Sequence, residues 1–185
     1  RNPGTWAWWR YRDRLVALLD EHIAATRADP KLAERDDVLA MLVQQPLTSE
    51  DLHDDLITLI AAGHETTAAA IAWGAVLLAH NPDVQDRARQ GDDDYLGALV
   101  KEVLRMRSPL PIGASRRLPG PLAIGPHTVP PGTIVSIDAW GLHHDPQRHR
   151  DPEAFRPDRF LGEAPEPYAW LPFGGGASRC LAAGM

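Results

Sequence analysis

Pro172-Phe173-Gly174-Gly175-Gly176-Ala177-Ser178-Arg179-Cys180 places the single cysteine of the chain just after three consecutive glycines. Such a run predicts a backbone that turns tightly beside something, in conformations that a side chain would oppose. A further helix is expected to start at the cysteine, where free N–H groups and the helix dipole stabilise a thiolate. Taken alone, a free cysteine is more often an inert buried thiol. The glycine turn and the helix start together shift the balance toward a thiolate free for chemistry.

The other compositional features are those of an ordinary globular protein. The 185 residues are 44% hydrophobic and 24% charged, and 19 Lys and Arg face 25 Asp and Glu for a formal charge of -6. That balance excludes a general nucleic-acid binder, whose affinity comes from neutralising phosphates. One cysteine cannot form an internal disulfide, which points to a reducing, cytoplasmic setting and leaves Cys180 free for chemistry. Thr67 to Ala79, the most apolar stretch, is too short to span a bilayer, so no membrane is indicated.

Working back from the glycine run, the chain changes character near Pro109. Before it, helices are expected at Trp6 to Arg27, on Trp9, Leu15, Leu18, Leu19 and Ile23, and at Asp37 to Gln44. Thr48-Ser49-Glu50-Asp51 reads as a capping box. The long helix that starts there should carry one apolar face through Leu52, Leu56, Leu59, Ile60, Gly63, Thr67, Ile71, Gly74 and Leu78 to His80. Asn81-Pro82 then stops it and opens another helix, and Tyr95 to Arg107 is a further amphipathic one. After Pro109, prolines and glycines surround short β-favouring pieces such as Thr133 to Ile137, which predicts small sheets and a long meander.

Three further groups carry chemistry. Ala62-Gly63-His64-Glu65-Thr66-Thr67 lies inside the long helix, where small residues ordinarily mark a helix contact. Thr66 can instead bond back to a carbonyl one turn earlier, loosening the helix and opening a groove beside Gly63. Glu102 and Arg105 have the spacing of an ordinary surface ion pair. His143, His144 and His149 could suggest a metal site, but packing and hydrogen bonding are the expected roles.

These pieces, in this order, resemble the cytochrome P-450 family of haem-thiolate proteins. The 172–180 stretch resembles its cysteine-ligand loop, FxxGxRxCxG, with Phe173, Gly176 and Cys180 in place, Ser178 where arginine or histidine is usual and Ala182 where glycine is usual. Residues 62–67 resemble its oxygen-activation motif, Glu102 and Arg105 its ExxR pair, and Phe155-Arg156-Pro157-Asp158-Arg159-Phe160 its FxPxRF segment. Leu142-His143-His144-Asp145-Pro146 resembles a recurrent structural stretch of the same family.

The resemblance implies a mainly α fold with small β-sheets, here the central and C-terminal portion without the N-terminal half and the final segment. Residues 1–108 would be the mostly helical part and residues 109–185 the meander and cysteine loop. It also implies haem b, iron protoporphyrin IX, as cofactor, with Cys180 as the metal ligand and Arg116, Phe173, Gly174, Ala62 and Gly63 around it. Arg117 competes with Arg116 for the propionate-binding role. Glu65 and Thr66 would be catalytic, relaying protons to bound oxygen, while Glu102, Arg105 and Arg159 would be structural.

The implied reaction inserts one oxygen atom of dioxygen into a small organic substrate. Electrons would come from NAD(P)H through a separate ferredoxin- or flavodoxin-type donor, since the chain has no nucleotide-binding glycine fingerprint. Ile60, Ala61 and Leu110 to Gly113 would form partial pocket walls. A haem-thiolate peroxygenase or isomerase, and a non-catalytic fragment unable to hold haem, are the alternatives.

Overall fold

The computed structural model describes residues 3–162, 165–166 and 168–184. Helices dominate, as the 3.6-residue periodicity requires: α1 (Pro3–Arg27), α2 (Val38–Val43), α3 (Ser49–His80), α4 (Pro82–Ala88), α5 (Asp93–Met106) and α6 (Ala139–His143). Two small antiparallel sheets follow α5. The strands β1 (Arg116–Arg117) and β4 (Ile134–Val135) form one, and β2 (Leu122–Ile124) and β3 (His127–Val129) form the other. The chain divides into two compact units, Arg1–His64 and Glu65–Met185.

In the first unit the core is Leu19 and Ile23 of α1 against Leu52 and Leu56 of α3, with Leu39, Leu42 and Val43 of α2 packed on them. Trp9 and Leu18, expected on the buried stripe of α1, are exposed. Only Leu19 and Ile23 of that stripe are buried, where α2 and α3 pack on it. The capping box forms as expected: the Asp51 N–H donates to Thr48 Oγ1 at 3.1 Å, and the Thr48 N–H donates back to Asp51 Oδ2 at 3.3 Å. His53 Nε2 lies 2.8 Å from Asp20 Oδ1, joining α3 to α1.

In the second unit Leu77 of α3 packs with Leu99, Val103 and Met106 of α5 and with Phe155 of the meander. Gly74 faces Val103 there, and a Cβ at that position would meet its methyls at an ordinary contact distance of 3.8 Å.

The apolar face of α3 is therefore buried only near its two ends. Leu59, Ile60 and Ile71 in the middle are exposed, contrary to a continuously buried stripe. An apolar period buries only where another element reaches it, and α1, α2 and α5 reach the ends. The helix runs continuously through Thr66. Its alanine-rich surroundings, Ala61-Ala62 and Ala68-Ala69-Ala70, favour regular helix enough to outweigh one glycine and two threonines.

At 32 residues, α3 is the one helix among those described that is long and apolar enough, by length and composition, to cross a membrane. The 67–79 stretch is too short for that, but the helix containing it is not. Its acidic residues Glu50, Asp51, Asp54, Asp55 and Glu65 are those of a helix with a solvated face.

α6 lies in the region expected to be loop. Asp138 caps it by accepting the Gly141 N–H at 2.8 Å, and the Trp140 N–H donates to Pro111 O at 2.9 Å, so local capping and one distant carbonyl hold five residues helical.

Candidate cysteine-ligand site

The glycine run turns as the sequence predicts. Gly174 and Gly176 have φ of 69° and 63°, values that a Cβ strains, while Gly175 is extended. A short 3-10 turn over Gly176–Ser178 brings the chain round so that the Cys180 N–H donates to Phe173 O at 2.9 Å. This bond closes the loop and leaves Cys180, a free thiol, exposed. Beyond it, Leu181–Gly184 forms a 3-10 turn within the described residues. The Ala183 N–H turns back to Cys180 O at 3.3 Å, a bond that closes this tighter turn.

On α5 and the meander sits a charge cluster far more enclosed than an ordinary i,i+3 pair. Glu102 and Arg105 are both fully buried, and Arg105 grips the carboxylate with Nε at 2.7 Å and Nη2 at 2.9 Å. Arg159 adds Nε at 3.1 Å, and the Arg156 backbone N–H adds a fourth donor at 2.9 Å. The remaining donors of Arg105 reach the carbonyls of His143 at 2.7 Å and Pro152 at 2.8 Å. Arg159 likewise bonds the carbonyls of Arg150 and Ala154. Three side chains thus clamp α5, α6 and the meander together. The expected triad is present, and the Arg156 amide and the carbonyl partners are additions the sequence did not disclose.

The two adjacent arginines differ in where strand geometry sends their side chains. Arg116 pairs with Val135 and Arg117 with Ile134, so their side chains leave opposite faces of the small sheet. Arg116 Nη2 donates to Ser178 Oγ at 2.7 Å, inside the cysteine loop, whereas Arg117 donates to Gly132 O. Ser178, the departure from the usual arginine or histidine, thereby holds a neighbouring guanidinium beside the loop. An open depression of about 560 Å3 borders the loop, lined by Trp170, Phe173, Gly174 and Arg179 among others, but Cys180 does not line it.

Ala62, Gly63, Glu65 and Thr66 occupy successive positions on α3, with Thr66 half-buried and Glu65 exposed. A Cβ at Gly63 would meet nothing within 4 Å, so there is open space beside it. Ile60, Leu110 and Ile112, expected as partial pocket walls, are exposed. The three histidines do not form a metal site: among the described residues no three His, Cys, Asp or Glu side chains converge to hold an ion.

The cytochrome P450 family profile matches residues 6–185. The chain belongs to the cytochrome P450 family. It is 41% identical over 197 aligned positions to a Mycobacterium tuberculosis protein assigned as cytochrome P450 137, and 40% identical to one assigned as cytochrome P450 135A1. These alignments cover 99% and 96% of this chain but 41% and 42% of the relatives, so it spans about two fifths of their length. Among solved structures, cyanobacterial CYP120A1 with retinoic acid bound aligns over 93% of this chain and 45% of its own, at 31% identity and a TM-score of 0.73. The ligand-free P450 monooxygenase TamI aligns over 98% of this chain and 42% of its own, at 30% identity and a TM-score of 0.78. The mainly helical fold with small sheets is thus the cytochrome P450 fold.

The family implies haem, and the residues present fit it. Cys180 supplies a soft sulfur donor on an exposed, closed loop. Gly174 and Gly176 leave that loop without side chains at its two sharpest bends, and Arg116 with Ser178 supplies a cation and a hydroxyl for an anionic edge.

Proposed function

We propose that this chain carries the thiolate ligand and the oxygen-activation helix of a haem-dependent monooxygenase, which inserts one oxygen atom of dioxygen into a small organic substrate. The observation that carries the reading is Cys180, held by its own amide on Phe173 O in a three-glycine loop, in a chain that also buries the Glu102, Arg105 and Arg159 clamp. Bound haem would supply the oxygen chemistry, with the thiolate pushing electron density to the iron and favouring O–O cleavage. Cys180 would be the ligand, Arg116 would pair with a propionate, and Phe173, Gly174, Ala62 and Gly63 would lie around the ring.

Thr66 would hold a proton donor's hydrogen bond at the oxygen site, and Glu65 would carry protons to it through water. Electrons would come from NAD(P)H through a ferredoxin- or flavodoxin-type carrier, in the reducing, cytoplasmic setting that a lone thiol suggests. The test is the ferrous carbonyl spectrum of the haem-loaded protein, where a strongly red-shifted band is expected and an imidazole-like band would end the reading.

The roles on α3 have a separate test. Thr66→Ala is expected to leave haem content unchanged while product formed per NAD(P)H consumed falls by roughly tenfold and hydrogen peroxide rises to match. Glu65→Gln should slow turnover instead, because it removes the titratable group. Full coupling and full rate in Thr66→Ala would remove Thr66 from the proton path and favour a peroxygenase or isomerase.

A further inference from the structure

His143 does more than fill space. It lies at the end of α6, fully buried, and its carbonyl accepts Arg105 Nη1 of the clamp. Its Nε2 accepts the Leu171 N–H at 2.8 Å. An accepting Nε2 requires the ring proton on Nδ1, and Nδ1 is buried with no hydrogen-bond partner among the described residues. A side chain present only for packing would not carry such an orphaned donor, since an apolar one of similar shape avoids the cost.

Leu171 is the point where this contact enters the cysteine loop. Its amide is held by His143, its carbonyl accepts the Gly174 N–H at 3.1 Å, and two residues on, Phe173 O accepts the Cys180 N–H. Two neighbours of Leu171 are also held: His149 Nε2 bonds Ala169 O at 3.2 Å and Trp170 Nε1 donates to Lys101 O at 3.1 Å.

We infer that His143, as a neutral hydrogen-bond acceptor, is a positioning residue for the Cys180 loop, transmitting the fixed geometry of the Glu102 and Arg105 clamp to the ligand through Leu171. The inference rests on the reading of Cys180 as the haem ligand.

Acid should disengage this acceptor. Burial first, and then the nearby His149, Arg105 and His144, push the His143 pKa down from 6.5 to about 4, with Glu102 neutralising part of the Arg105 charge. The unfolded chain therefore binds a proton below pH 6.5 that the folded chain refuses until about pH 4. This contribution to stability is level above pH 6.5 and falls as pH drops through that window.

The experiment compares wild type, His143→Leu and His143→Gln, the last placing a non-titrating amide oxygen near the Nε2 position. In the haem-loaded protein, His143→Leu should speed amide exchange at Leu171 and haem transfer to apomyoglobin by about tenfold each, and divide the ferrous carbonyl band into two populations. His143→Gln should restore all three and flatten the decline in stability between pH 6.5 and 4. Faster Leu171 exchange with an unchanged carbonyl band would overturn the inference, as would a His143→Gln variant that keeps the wild-type acid decline. Should His143→Leu not fold, the His143→Gln arm decides alone. A carbonyl band that survives Cys180→Ala would instead defeat the underlying ligand assignment, whatever His143 does.

Discussion

Glu102→Ala is expected to cost about 3–5 kcal/mol of folding stability and to leave the purified protein with little or no haem. The carboxylate takes four donors, two from Arg105, one from Arg159 and one from the Arg156 amide, in a site that water does not reach. Removing it strands the fully buried Arg105 cation and an adjacent guanidinium with no counter-charge. Carbonyl dipoles from His143, Pro152 and Ala154 remain, but they do not replace a full negative charge. Glu102→Gln, which keeps shape and some acceptors, should fall between the two. Denaturant unfolding and the haem-to-protein ratio are the measurements. Stability and haem content within error of wild type in Glu102→Ala would mean that the cluster is hydrated and ordinary.

Cys180→Ala has the largest expected spectroscopic effect, complete loss of the thiolate-type ferrous carbonyl band, with folding stability changed by less than about 1 kcal/mol. The two readouts separate because the sulfur is exposed and contributes little packing, whereas the loop is closed by the amide of residue 180, which alanine retains. Gly176→Ala should behave oppositely, straining a backbone at φ of 63° and perturbing the loop while the ligand remains. A Cys180→Ala protein that kept the band would show that another residue ligates.

Much of this was legible in the sequence where the information is local. The capping box at Thr48, the proline at the start of α4 and the left-handed glycines 174 and 176 each follow from a few neighbouring residues. The ion cluster was legible only through family resemblance, because i,i+3 spacing alone describes a surface pair, and burial is decided by the meander some fifty residues later.

Features that depend on distant partners were not legible. Nothing near Ser178 indicates that Arg116, 62 positions away, would hydrogen-bond to it, and nothing near His143 names Leu171. Similarly, the exposure of Ile60 and Ile71 depends on which elements reach α3, which periodicity cannot express.

The clamp joins Glu102 to Arg159 across 57 positions and Arg105 to His143 across 38. Such pairings require long chain closures before any bond rewards them, so they should form late, after α5 and the local turns. Disruption of the clamp would then appear chiefly as faster unfolding, with the refolding rate little changed. The ion cluster would act as a latch on the lifetime of the folded state, setting how long a loaded loop stays shut and having little part in how quickly the chain first finds its shape.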